Sequence, residues 1–183
     1  MKHLRLSRIA LLLLAALLFA VCIAACKGDE EEYAEPEAFS FVIYPGSRYL
    51  GQLTEKTKQA HKIANPNAEP PPTAVYDADA TVEEVAQYYA KEYGYAEVAA
   101  EAGSGAAKPR AYYRTGDLAT DNKPLAPLLP QLQLQTDLSK AVGNYKGAYV
   151  SPRPNRPQVT IQRPYFDVTT SKVVDRTMIL MSR

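Results

Sequence analysis

Tryptophan is absent from this chain of 183 residues, and histidine and cysteine occur only twice each. Two histidines, His3 and His61, cannot build a histidine-rich metal site. No H-E-x-x-H, C-x-x-C, G-x-S-x-G or G-x-x-x-x-G-K pattern occurs, so the usual hydrolase, zinc, redox and phosphate-binding signatures are missing and no cofactor is implied. Both cysteines, Cys22 and Cys26, lie near the start. No disulfide framework can therefore span the rest of the chain, whose fold must hold by burial alone. Charge of one sign is lacking as well, with 21 basic residues against 20 acidic ones. Such a balance supplies no face-wide basic patch, and nucleic acid is not expected as a partner.

The one long apolar run lies at the beginning. Ile9 to Ala25 carries no charge, follows Lys2, Arg5 and Arg8, and ends in small residues. A basic start, an apolar run and a small-residue exit describe a secretory signal. The run is also close to the minimum of about 17 residues for a membrane span. The small pair before Cys26, the abrupt switch to Lys27-Gly-Asp-Glu-Glu-Glu32 and the lack of a second span favour the signal.

The end of this run, Ile23-Ala24-Ala25-Cys26, resembles the lipobox of bacterial lipoproteins. The resemblance implies that the Cys26 thiol takes a diacylglyceryl group, that the chain is cut just before it, and that the new amino terminus is acylated. Cys22 follows the branched Val21 and leaves with the signal. In that family an aspartate directly after the modified cysteine is a common inner-membrane retention signal in enteric bacteria. Lys27 stands there in this chain, with Asp29 only third. The resemblance thus implies the outer membrane, facing the periplasm, in a host with two membranes, and the outer cell surface in a host with one.

Three segments follow: residues 1–25 as signal, 26–38 as acylated Cys26 and tether, and 39–183 as one α+β domain. Six acids crowd Asp29 to Glu37, a like-charge block with too little apolar surface to order itself. A dozen such residues could hold the domain as far as roughly 40 Å from the lipid. Without the signal, that block and Lys27, 17 basic residues face 14 acidic ones in the remainder.

Within the domain, Phe39 to Tyr44 reads as a strand closed by Pro45-Gly46. Ser47 can cap a helix with Leu50, Leu53, Thr57, Ala60 and Ile63 or Ala64 on one face. Polyproline Glu69 to Pro72 leads to a strand at Thr73 to Tyr76. Thr81 and Glu84 form a capping box, Val82, Val85, Ala86, Tyr89 and Tyr93 make a helical stripe, and Gly94 suits the left-handed cap that ends it. Strands are expected at Tyr95 to Ala100, Arg110 to Arg114, Gly147 to Val150 at an edge, Gln158 to Arg163, and Val173 to Met181, the last buried on both faces. Pro124, Pro127 and Pro130 forbid a regular helix across Leu125 to Leu129. That region reads either as a short helix from about Leu128 or Gln131 to Lys140 or as an irregular insertion over the sheet. The sum is an antiparallel sheet of about five to seven strands with two main helices packed on one face.

The pattern Tyr44-Pro-Gly-Ser47, a strand, then Thr81-Val-Glu-Glu-Val-Ala-Gln-Tyr-Tyr89 resembles a motif of uncharacterised secreted bacterial proteins. The resemblance covers about a third of the chain after the signal and implies a helix packed on a sheet, with no assigned catalytic residues.

Candidate functional residues are few. Thirteen tyrosines are the one compositional excess. Tyrosine joins a rigid body to a polar tip, which suits partner and sugar surfaces. Tyr88, at the flank of its helical stripe, and Tyr112, whose neighbour Tyr113 must point to the other face of a strand, are the candidate binding residues. Asp77 and Asp79 point the same way at a strand end but read as turn formers. His61 reads as a core-margin histidine, and Gly103-Ser-Gly105 as a loop. The expected function is a lipid-anchored envelope protein, a non-enzymatic binding or accessory module for an envelope protein or a glycan. Alternatives are an envelope enzyme whose site forms only in three dimensions, or a structural subunit of an envelope assembly.

Overall fold

A computed structural model describes Tyr33, Glu35, Pro36, Phe39, residues 42–102 and residues 109–183. The signal, Cys26, most of the tether and the Gly103 to Ala107 loop lie outside the described residues.

Eight strands form. They are β1 (Arg48–Tyr49), β2 (Thr73–Ala78), β3 (Ala111–Asp117), β4 (Asn144–Val150), β5 (Gln158–Arg163), β6 (Tyr165–Asp167), β7 (Lys172–Val174) and β8 (Thr177–Ser182). Six of them make one sheet in the order β1-β2-β8-β5-β4-β3, antiparallel throughout. The hairpin β6-β7 stands beside it. Among the described residues, three helices, α1 (Gly51–Ala64), α2 (Val82–Glu92) and the short α3 (Leu118–Asn122), complete the α+β architecture that the patterning predicts.

The capping box of α2 is present in full. Thr81 N–H donates to Glu84 Oε2 at 2.8 Å, and Glu84 N–H donates to Thr81 Oγ1 at 3.2 Å. At the other end Gly94, at φ +67°, lets Gly94 and Tyr95 donate back to Lys91 and Ala90 at 3.0 and 2.8 Å, a Schellman closure. Between these ends Val82, Val85, Ala86, Tyr89 and Ala90 are buried, as the stripe predicts. They close over Ala74, Tyr76, Ala78, Ala148, Val150, Val159, Ile161, Ile179 and Met181, whose alternation places them on one face of the sheet.

The other helix goes elsewhere. Leu50 N–H donates to the Val75 carbonyl at 2.8 Å, and Val75 N–H donates to Thr54 Oγ1 at 2.9 Å, so α1 is stitched to β2 where the two-residue β1 ends. From there Leu53, Thr57 and Ala60 face Val75, Met178 and Leu180, which belong to the opposite parity of β2 and β8. Helix α2 thus covers one face, and α1 lies against the other with the leucine-rich segment, Leu125 to Leu132, beside it.

Several local expectations change. Phe39 and Val42 are buried, but the backbone there turns, Val42 N–H reaching the Phe39 carbonyl at 3.1 Å, instead of forming a strand. Leu50, not Ser47, occupies the cap position of α1. Tyr95 to Ala100 contributes only a bridge at Ala99 to Tyr112, because the tyrosine hydroxyl of Tyr95 is drawn to the Ser151 carbonyl at 2.9 Å. The strand at Gly147 begins at Asn144 and lies inside the sheet, between β3 and β5. The proline-punctuated stretch after α3 runs in consecutive turns, the insertion alternative, with Leu129 and Leu132 buried.

Candidate functional site

The sheet face away from α2 carries two adjoining concavities. The first, of about 470 Å³, is lined by Arg114, Thr120, Asp121, Asn122, Pro124, Gln162, Tyr165, Phe166 and Met178. Strand alternation supplies Arg114, Gln162 and Met178, one each from β3, β5 and β8, and α3 supplies the wall. Asp117 caps α3, its Oδ1 accepting from Thr120 N–H at 2.8 Å, and Leu118 anchors it with no exposed surface. Asp121 accepts the Tyr145 hydroxyl proton, and the Arg114 guanidinium lies over the Tyr145 ring at 5.5 Å. Burial first, and then the Asp121 carboxylate, raise the Tyr145 phenol above its ordinary value.

The second concavity is an apolar slot of about 210 Å³ between α1, the leucine-rich segment and the sheet. Asn122, Phe166 and Met178 line both spaces, so slot and cleft adjoin along these three side chains.

Behind Tyr165 lies a buried carboxylate. Asp77 has no exposed side-chain surface, yet Arg48 Nη2 and Nε donate to its two oxygens at 2.7 and 3.2 Å. Tyr165 Oη donates to Oδ2 at 3.2 Å. Arg176 Nε sits 3.2 Å from the same oxygen as an ion pair without hydrogen-bond alignment. Burial first and the Asp77 charge next push the Tyr165 phenol well up, and the Asp77 hydrogen bond raises Arg48. The group joins β1, β2, β6 and the entry to β8, and it fixes one wall of the cleft.

The two candidate tyrosines are not brought together. Tyr88, on α2, packs edge-on against Tyr44 at 5.2 Å and donates to the Ile43 carbonyl at 3.3 Å. It borders a shallow depression with Pro45, Glu84, Gln87 and Lys91. Tyr112 lies on the opposite side of the sheet, half-buried, its ring 5.3 Å from that of Tyr149 across the β3-β4 pair. Cys26 lies outside the described residues. Asp79 is exposed, as a turn residue should be. His61 is half-buried on α1, and its Nδ1 is buried without a hydrogen-bond partner. Among the described residues, no group of three or more histidine, cysteine, aspartate or glutamate side chains could hold a metal, and no helix is long and apolar enough to cross a membrane.

Sequence reasoning misses the partners of Asp77 and the cleft itself. Arg48 is 29 residues from Asp77, and Tyr165 is 88 away. The signal that points to the cleft is the run Met178-Ile-Leu-Met181, apolar at both parities, which requires a cover on each face. No family model matches the chain, and neither a curated protein nor a solved structure matches it.

Proposed function

We propose that this chain is a lipid-anchored cell-envelope protein, held at Cys26, whose folded part is a binding or accessory module working through the cleft beside α3. The observation that carries the binding half is the adjacency of polar cleft and apolar slot, which share Asn122, Phe166 and Met178. A concave site with an apolar interior and a few convergent polar groups is the usual form of a small-molecule site. The Asp77 cluster supports the reading, since it holds Tyr165 in place as a rigid wall rather than leaving it to a loop.

The anchor half rests on the lipobox resemblance and on the residues after it. Tyr33 packs so closely on Gly51 that a β-carbon there would collide with its side chain. Only Lys27 to Glu32 then separates the acylated cysteine from a residue in contact with the domain. At about 3.5 Å per residue that stretch spans at most roughly 25 Å. Lys27 directs the protein to the outer membrane in a host with two membranes.

Density-gradient separation of envelope membranes tests the anchor and sorting together. The expected result is protein in the outer-membrane fraction, resistant to high-salt washing. Recovery in the soluble fraction would refute the anchor, and recovery with the inner membrane would refute the sorting.

A further inference from the structure

The two faces of the sheet are closed to different degrees. Under α2 the facing residues are almost wholly buried, with Val85, Tyr89, Ile161, Ile179 and Met181 at 0 % exposure. Under α1 only Thr54 of the helix is fully buried, and Leu53, Ala60, Met178 and Leu180 remain half-exposed around the slot. The stripe that makes α1 amphipathic therefore faces Val75, Met178 and Leu180 across a space that side chains do not fill.

The polar groups at this space are already satisfied. Thr57 Oγ1 donates to the Leu53 carbonyl at 2.8 Å. Lys56 lays its stem along the slot and donates from Nζ to the Leu132 carbonyl at 2.9 Å, tying α1 to the leucine-rich segment. No water is held in a cavity that offers it no partners, and an apolar cavity of about 150 Å³ accepts benzene. The slot, at about 210 Å³, has room for a hydrocarbon chain of medium length.

At the mouth the chemistry reverses. Asn122 Nδ2 is committed to the Leu118 carbonyl at 2.9 Å, and Thr120 to Asp117. Arg114 is different. Its guanidinium rests on the Tyr145 ring, is exposed, and has no carboxylate partner among the described residues. Asp121 lines the same cleft but is engaged by the Tyr145 hydroxyl, which leaves the Arg114 guanidinium as the charged donor there for a carboxylate.

We infer that slot and cleft together hold one free aliphatic carboxylate of medium chain length, with its hydrocarbon tail between α1 and β8 and its anionic head at Arg114. This inference rests on the binding-module reading and names its ligand class.

Photocrosslinking on the full acylated chain in its own membranes tests it, using an octanoate analogue with a diazirine at the tail end. The expected label maps to peptides carrying Leu129, Met178 or Leu180, and octanoate competes about tenfold better than octyltrimethylammonium. Arg114→Gln removes that preference but leaves tail labelling. Ala60→Phe, which occupies the slot, abolishes labelling, and Leu129→Phe repeats the test should the first variant melt early. Label spread over the surface, unaffected by either phenylalanine, overturns the proposal. Label confined to the cleft peptides around Arg114 and Gln162 overturns the tail assignment and leaves a binding module of another ligand class. A Cys26→Ser chain, which lacks its own acyl groups, should label like the wild type. Slot labelling seen only in that variant would assign the slot to the chain's own lipid and overturn a free ligand.

Discussion

Replacing Asp77 by asparagine tests whether the buried carboxylate holds the cleft wall. The side chain keeps its shape and loses its charge, so the change isolates electrostatics from packing. Breaking a buried ion pair by removing one partner costs about 3–5 kcal/mol, and a hydrogen bond to a charged group is worth about 1.5–3 kcal/mol. Two features lower the figure here. Arg48, 66 % exposed, can turn to water once released, and the asparagine oxygen still accepts from Tyr165. A loss of about 2–3 kcal/mol remains, carried by Arg176 and by the two lost Arg48 bonds. For a chain of this size that lowers the melting temperature by roughly 5–10 °C. Urea unfolding followed by circular dichroism reads it as a lower midpoint at unchanged slope. Tyr165→Phe should cost about 1 kcal/mol, and the double variant should fall short of the sum only by the charge-assisted part of that bond, less than about 1 kcal/mol, since the asparagine oxygen still accepts from Tyr165. An Asp77→Asn loss within about 0.5 kcal/mol of the wild type would refute the reasoning, because changes of that size are ordinary at exposed sites.

Val85→Asp places a carboxylate at a position with no exposure and should cost several kcal/mol, whereas the exposed Gln87→Asp should stay within about half a kcal/mol, and equal melting temperatures would reject the assigned face of α2. Gly147→Ala should destabilise by about 1–3 kcal/mol, because its β-carbon would come within 2.6 Å of the Ile161 carbonyl oxygen on the neighbouring strand and backbone cannot yield; unchanged stability would contradict the tight β4-β5 approach. Glu83, Glu84, Asp117, Asp137 and Asp175 are all held below their ordinary values, by Lys146, by Thr81, by Thr120, by Ser139 and by Arg163 respectively. Their contribution is complete above the carboxylate range of about 4 and is lost as pH falls through the lowered values, so stability should decline on acidification and Glu84→Gln should flatten the decline measured by urea midpoints from pH 6 to 3. Mass spectrometry of the membrane-extracted protein should find an acylated amino-terminal Cys26, and a Cys26→Ser chain should be neither acylated nor cut.

What was legible in the chain follows the range of the interactions. Helix α2 is written locally, because Thr81, Glu84 and Gly94 act within four residues of the backbone groups they satisfy, and its stripe faces a sheet whose strands alternate in step. The sheet class follows from Val159 and Ile161 alternating with polar neighbours and from the central apolar strand. Helix α1 is legible as a helix but not in its placement, which depends on the Thr54 hydroxyl reaching a β2 amide 21 residues away. Tyr95 to Ala100 has strand-like residues, yet a hydroxyl bond to a loop 56 positions on, with Arg153 over the Tyr95 ring at 4.7 Å, draws the chain aside. Asp77 reads as a turn former because turn propensity is local, while Arg48, Tyr165 and Arg176 reach it only after the sheet has formed.

The same contrast bears on why the chain keeps its prolines and leucines between α3 and β4. A continuous helix there would lay an unbroken apolar stripe against β8 and close the second face as α2 closes the first. Pro124, Pro127 and Pro130 prevent it, and the chain instead crosses in turns from which Leu129 and Leu132 reach inward. Packing of this kind covers the sheet without meeting α1 along its length, and the gap between them is the slot. Met178 and Leu180 are then apolar for two reasons at once, as members of a central strand and as the floor of that gap. A strand that needed only a solvent-facing second side would carry polar residues at those two positions, as β5 does at Thr160 and Gln162. The boundary between floor and open sheet falls where β8 meets β5, and Gln162 and Met178 face each other across that line in the β5-β8 register, at the join of cleft and slot.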